Sequence, residues 1–174
     1  MIKELLGNIV RALFLIIFQV LILNNIGLGG YINPYLYILI ILLLPLETPA
    51  WLTQIISFGV GITIDIIVET PGMHTSAMIF IGFIRPFLLK YSAPRDGYET
   101  DDEPNIKSLG LSWFFKYALI LTSAHHLFLF QVESFNFTNI GHTLIRTVLS
   151  TIFTLSLILL TQYLRIGNSH KNKF

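Results

Sequence analysis

Cysteine is missing from all 174 residues, which removes disulfides, zinc–thiolate centres and iron–sulfur clusters from consideration. Charge is scarce as well. Only 12% of residues are Asp, Glu, Lys or Arg, against about 25% in an ordinary soluble domain. The net charge of +1 provides neither a basic surface for nucleic acid nor an acidic one for cationic ligands. The sequence also lacks a phosphate-binding loop, a Gly-x-Ser-x-Gly elbow and a His-Glu-x-x-His pair. The one carboxylate run, Asp101-Asp102-Glu103, falls in a polar stretch where a solvated charge run is the ordinary reading. These absences argue against an enzyme, and nothing present calls for a cofactor.

What the chain has is apolar length. Apolar residues make up 53% of it and the mean hydropathy is +0.70. A bilayer core takes about 20 apolar residues in a helix rising 1.5 Å per residue. On that measure the sequence predicts an all-α membrane domain over residues 12–164, with six spans: 12–28, 31–46, 51–68, 74–89, 111–130 and 144–164. Residues 1–11 form the N-terminal tail and residues 165–174 a polar, basic C-terminal tail. The first span follows Lys3, Glu4 and Arg11, as a secretory signal would, but its apolar run is long for one and no small-x-small site follows, so it is read as uncleaved. Span two is the weakest, its uninterrupted run being short. Asn33 and Pro34 open it, with Pro34 in a helical first turn and Tyr31, Tyr35 and Tyr37 as interfacial anchors. Pro45 and Pro49 form a corner after it, and Thr70-Pro71-Gly72 turns the chain between spans three and four. The one long polar connection is 92–108.

Lys and Arg give these spans a direction, because they are retained on the cytoplasmic side during insertion. With six spans, Lys3, Arg11, Lys90, Arg95, Lys107, Arg165, Lys171 and Lys173 all fall on one side, and the opposite connections hold none. Both termini and the 92–108 loop are therefore predicted to be cytoplasmic.

Polar groups inside spans are costly and face protein or a wet cavity. By depth they sort into an outer group, with Asp65, Glu69, His74, His125, His126 and Arg146, and an inner group, with Arg11, Glu47, Arg85 and Lys116. Asp65 and Glu69 are four apart, on one helix face. Asp65 reads either as a carboxylate serving a ligand, proton or partner subunit, or as half of an ion pair with Arg146. The histidines read as satisfied interfacial residues: His125 and His126 point about 100° apart on a helix and lack the spacing of a metal pair. Arg85, before Pro86, and Lys116 read as snorkelling anchors. Gly59-x-Gly61 reads as a close helix contact. A scaffold subunit, a small-solute carrier and an intramembrane enzyme remain open on this reasoning.

One longer pattern narrows the choice. The segments QVLILNNI, NPYLYILIILLLPLETPAWL and GVGITIDIIVETPGMHTSAMIFIGFIRPFLLKYSAPRDGYE contain Asn33-Pro34, the Pro45/Pro49 corner, and Asp-x5-Pro-Gly-x-His-x10-Arg-Pro from Asp65 to Pro86. Over residues 10 to 100 the chain resembles the rod shape-determining protein MreD, in the form found in Bacteroidota. The resemblance implies a non-catalytic subunit of the bacterial cell-elongation complex in the cytoplasmic membrane. It would bind MreC and, through it, associate with MreB, RodA and its penicillin-binding transpeptidase partner. The resemblance also implies a fold similar to the S-components of energy-coupling-factor transporters. That likeness supplies the alternative of a vitamin-binding transporter subunit, which the absence of an Ala-x-x-x-Ala surface in span one disfavours.

Overall fold

The computed structural model describes residues 2–26, 30–99, 101–135 and 140–171. Gly27 and Leu28, expected at the end of span one, Gly29 of its Gly-Gly stop and the last three residues of the basic tail lie outside them. Among the described residues the chain is all helical, without strands. Its elements are α1 (Ile2–Leu21), α2 (Leu39–Leu42, entered through a 3-10 turn at Leu36–Ile38), α3 (Ala50–Val68), α4 (Met73–Tyr91), α5 (Ile106–Ser134) and α6 (Ile140–Lys171).

Three stretches, Gly7–Asn25, Ala50–Val68 and Ile140–Arg165, are long and apolar enough to cross a membrane. Their exteriors agree with that use. On α3 the buried residues include Thr53, Ser57, Gly61 and Asp65, whereas Trp51, Ile55, Phe58 and Ile66 are exposed. On α6 Thr143, Thr147, Ser150, Thr151 and Thr154 are buried, whereas Leu144, Ile145, Val148 and Ile152 are exposed. A helix in water would show the reverse. Both α4 and α5 have spanning length but carry more polar residues.

Helices α3, α4, α5 and α6 pack each against the next, and α1 lies against α3 and the α2 segment. The centre is that segment. Every residue from Leu36 to Leu44 is buried, as suits a stretch that is apolar on all sides. Its form departs from expectation. The sequence predicts a helix over 31–46 with Pro34 in its first turn, but residues 33–35 are not helical and the α-helix proper covers only Leu39–Leu42. The expected Tyr anchors divide accordingly, since Tyr31 is exposed and Tyr37 fully buried.

Boundaries differ elsewhere for local reasons. Helix α1 begins at Ile2 and α6 continues to Lys171, so helix runs through parts of both expected tails. No proline or glycine pair interrupts either stretch. In α5 Gly110 adopts φ 81°, ψ 161°, which leaves the uninterrupted helix starting at Leu111. The preceding loop is clipped down: Tyr98 Oη donates to the Leu89 carbonyl at 2.8 Å and Trp113 Nε1 to the Ser92 carbonyl at 2.8 Å. Asp102 accepts from Ser108 Oγ and from the Glu99 N–H. Those two bonds, the hydroxyl first, hold its carboxyl below the ordinary range. The staple is therefore present at neutral pH and lost as pH falls through that lowered value.

Candidate functional site

Two buried polar layers, one near each end of the bundle, join elements far apart in sequence. The first begins with Asp65 at the end of α3. Its Oδ1 accepts from Thr70 Oγ1 at 2.5 Å and the His74 N–H at 3.0 Å, and its Oδ2 accepts from the Thr75 N–H at 2.8 Å and Thr75 Oγ1 at 2.5 Å. His74 and Thr75 are the second and third residues of α4, whose N-cap Gly72 has no side chain to offer. Asp65 thus caps the next helix from across the turn, its charge facing the positive helix end. This explains the Asp-x5-Pro-Gly-x-His spacing. The Asp reaches over Thr70-Pro71-Gly72, and Gly72 supplies the left-handed turn at φ 85°. The expected ion pair with Arg146 does not form. Four donors fill the carboxylate, and Arg146 instead lies 3.2 Å from Glu133 and 4.2 Å above the Phe130 ring.

Glu69 also parts from Asp65, contrary to their shared-face spacing. At φ 58° it is the left-handed residue that ends α3, with the Thr70 N–H returning to the Asp65 carbonyl at 3.0 Å. Leaving the helix there turns it outward, and it is exposed while Asp65 is buried.

Beside Asp65, His74 of α4, His125 of α5 and Tyr37 meet. Tyr37 Oη lies 2.7 Å from His74 Nδ1 and 3.0 Å from His125 Nε2. The hydroxyl has one proton, so it donates to one ring and accepts from the other. His125 Nδ1 is buried without a partner. The arrangement that avoids a bare N–H has His125 Nε2–H donating to Tyr37 and Tyr37 donating to His74. His126 Nδ1 lies 2.7 Å from the Thr122 carbonyl, to which it donates, and its Nε2 lies 3.3 Å from Thr154 Oγ1. Thr154 in turn accepts the Tyr35 N–H at 3.2 Å. The histidines are thus interior groups, corrected from the interfacial placement. Among the described residues no group of three metal-binding side chains forms.

These hydroxyls, with Gln19 of α1, also satisfy the irregular backbone before α2. Gln19 Nε2 donates to the Pro34 carbonyl at 2.8 Å and its Oε1 accepts the Leu36 N–H at 2.7 Å, while the Asn33 N–H donates to Ser150 Oγ at 2.9 Å. Sequence reasoning missed Gln19, Ser150 and Thr154, and read Tyr37 as an interfacial anchor where it is a buried bridge between two histidines. The signals were there, in a lone amide within an apolar run and hydroxyls at positions 143, 147, 150 and 154, three and four apart.

The second layer centres on Arg85, only 1% exposed, which corrects its reading as a snorkelling anchor. Its Nη2 donates to the carbonyls of Leu44 at 2.5 Å and Pro45 at 3.2 Å, and its Nε donates to Tyr117 Oη at 2.9 Å. Tyr117 Oη in turn donates to the Leu42 carbonyl at 3.1 Å, and Arg11 Nη2 donates to that of Leu43 at 3.3 Å. These carbonyls lie at and just beyond the end of α2, where helical partners run out and the dipole is negative. A cation suits them. Past Pro45, Thr48 bonds back through its N–H and hydroxyl, and Pro49 starts α3, so the Pro45/Pro49 corner is a turn.

Of the residues singled out by sequence, the structure joins Asp65 to His74 and Arg85 to Pro45, and leaves Glu69 and Arg146 apart from both groups. No family model, curated protein or solved structure matches the chain.

Proposed function

We propose that six stretches of this chain cross the bacterial cytoplasmic membrane and that it serves as a non-catalytic, MreD-like subunit of the cell-elongation complex, with MreC as its direct partner. MreB, RodA and the penicillin-binding transpeptidase would be reached through that complex. The count of six draws support from the two layers. Arg11 lies in one and Gln19 in the other; so do Leu44 and Tyr37, Arg85 and His74, and Tyr117 and His125, while α3 runs from the Pro45/Pro49 corner to Asp65, and α6 from Thr154 to Arg165 at the cavity it shares with Arg11. Each pair belongs to a different stretch, and successive stretches run in opposite directions.

In α4 and α5 His74, Arg85, His125 and His126 are buried, Lys90 and Lys116 are exposed, and Phe83, Phe87, Phe115 and Leu127 are left outside. The irregular start of the α2 segment is enclosed by protein, the condition under which such backbone is tolerated at membrane depth. The one-sided distribution of lysines and arginines supports a cytoplasmic Arg85 end.

The observation that carries the subunit reading is how the motif residues are used. Asp65, Gly72, His74, Arg85 and Pro45 hold helices to one another. A solute carrier needs polar side chains facing its solute, whereas Tyr37, His74, His125 and His126 hydrogen-bond protein groups. The test is to co-purify the full chain with MreC from cells, with reporters fused after Glu133 and after Gly97. MreC recovery, an extracytoplasmic signal at Glu133 and a cytoplasmic one at Gly97 are expected. A stoichiometric vitamin without MreC would favour the S-component-like alternative, and a cytoplasmic Glu133 signal would overturn the topology.

A further inference from the structure

The Arg85 end of the bundle opens into a cavity of about 710 Å³, bounded by the start of α1, the α2 end, the 101–105 loop and α6. Charges of both signs face it: Arg11 from α1, Arg165 from α6, and Asp101, Asp102 and Glu103 from the loop. Asp102 is committed to the loop, with both carboxylate oxygens accepting hydrogen bonds from Ser108 and Glu99. Glu103 holds Arg165 loosely, at 3.4 Å, with the two side chains 59% and 51% exposed. Arg11 donates to the Leu43 carbonyl at 3.3 Å, and a guanidinium has five donors, so both arginines retain donors for a ligand.

Setting Asp102 aside, two cations and two anions border one space. A phosphate dianion would leave the carboxylates opposed, and a simple cation would leave the arginines opposed. A zwitterion matches both. Apolar surface adjoins the arginines: Val10 and Phe14 are each 61% exposed on α1, and Leu164 is 62% exposed on α6.

We propose that this cavity binds the head group of an aminophospholipid of the phosphatidylethanolamine class. The phosphate sits between Arg11 and Arg165, where guanidinium geometry favours phosphate oxygens. The ammonium meets Asp101 and Glu103, and the acyl chains run along Val10, Phe14 and Leu164. The inference rests on the membrane placement proposed above, not on the identity of the protein partner.

The test uses full-length protein, delipidated and offered an equal mixture of dioleoyl phosphatidylethanolamine, phosphatidylglycerol and phosphatidylcholine, with retained lipid counted by native mass spectrometry. Wild type is expected to retain the ethanolamine lipid several-fold over the others. Arg11→Gln and Arg165→Gln should each lower that retention at least fivefold, and Glu103→Gln should shift preference toward the glycerol lipid. Arg95→Gln, outside the cavity, should match wild type, and circular dichroism checks that each variant is folded. Equal retention of the three lipids, retention unaffected by both arginine variants, or displacement by millimolar phosphoethanolamine, which would reassign the site to a soluble ligand, overturns the proposal. Monodispersity in buffer without detergent would instead defeat the membrane placement itself.

Discussion

Asp65 shows how much one side chain settles. Its four hydrogen bonds lie between the end of α3 and the start of α4, and two of them satisfy backbone N–H groups that no residue of α4 can reach. Removing an N-cap acceptor costs about 0.5–2 kcal/mol, and stranding a buried donor adds about 1–3 kcal/mol. Asp65→Ala should therefore lower stability by about 2–4 kcal/mol, seen as a large fall in thermal midpoint in detergent, and Asp65→Asn by roughly half as much because one oxygen is kept. A near-wild-type Asp65→Ala would dismiss the cap. Glu69 makes the opposite case. It ends α3 in the left-handed region at φ 58°, where glycine is the unstrained choice. Glu69→Gly should raise stability by about 0.5–1 kcal/mol. Under the proposed function, a variant that is more stable yet recovers less MreC would put the carboxylate at the partner surface; unchanged recovery limits Glu69 to ending the helix. The importance of Asp65 was legible in sequence, since a carboxylate at membrane depth must have partners. Their identity was not, because capping across a turn is a backbone arrangement that depth and charge pairing do not encode.

At the scale of elements, the helix pair α3–α4 and the broken α2 segment were read with unequal success. The pair came from breakers and apolar length, and its closeness rests on glycine. A Cβ at Gly61 would collide with the Thr75 backbone and one at Gly82 with the Ser57 side chain, whereas one at Gly59 would meet nothing within 4 Å. The expected Gly59-x-Gly61 contact is thus Gly61 alone. Gly61→Ala should cost at least about 2 kcal/mol through backbone displacement, and Gly59→Ala should stay within about 0.5 kcal/mol; equal effects in an unfolding assay would contradict this packing. The α2 segment was misread because an apolar run at a bilayer's length defaults to helix, and because backbone bonding supplied by other helices leaves no periodicity in the run itself. Gln19 is its main support. Gln19→Leu would strand the Pro34 carbonyl and the Leu36 N–H in an apolar setting, at about 1–3 kcal/mol per group. Gln19→Glu should lose the Pro34 bond and keep that to Leu36. Gln19 is fully buried and its amide also faces Asn24 Oδ1, so Glu would set an unpaired carboxylate against two acceptor oxygens; both variants should be less stable than wild type, with Glu at least as costly as Leu.

Across the whole molecule, the two polar layers raise the question of whether the bundle is a static support or relays changes from one of its ends to the other. Tyr37 and Arg85 are the centres of the layers, joined through the α2 segment at one remove: Tyr37 begins it, and Arg85 holds the carbonyls of Leu44 and Pro45 near its end. Roughly 16 Å of helix separates His74 from Arg85 along α4, and about 12 Å separates Tyr117 from His125 along α5. Between the layers the buried residues are mainly Leu and Ile, with Met78, Ile81, Ala118 and Leu121 among them. Coupling over such a span requires an element with two discrete states that both ends bias. Tyr37→Phe removes the hydroxyl joining His74 to His125, and Arg85→Gln removes the charge holding the α2 carbonyls. Each should destabilise by about 1–3 kcal/mol. Because the sites are about 10 Å or more apart with no shared hydrogen-bond partner, the double variant should equal the sum of the singles within about 0.5 kcal/mol. Additivity in a double-mutant cycle would support a rigid bundle, as the proposed scaffold role requires. A coupling term well above 1 kcal/mol would instead identify the α2 segment as a moving part, which a static subunit does not require.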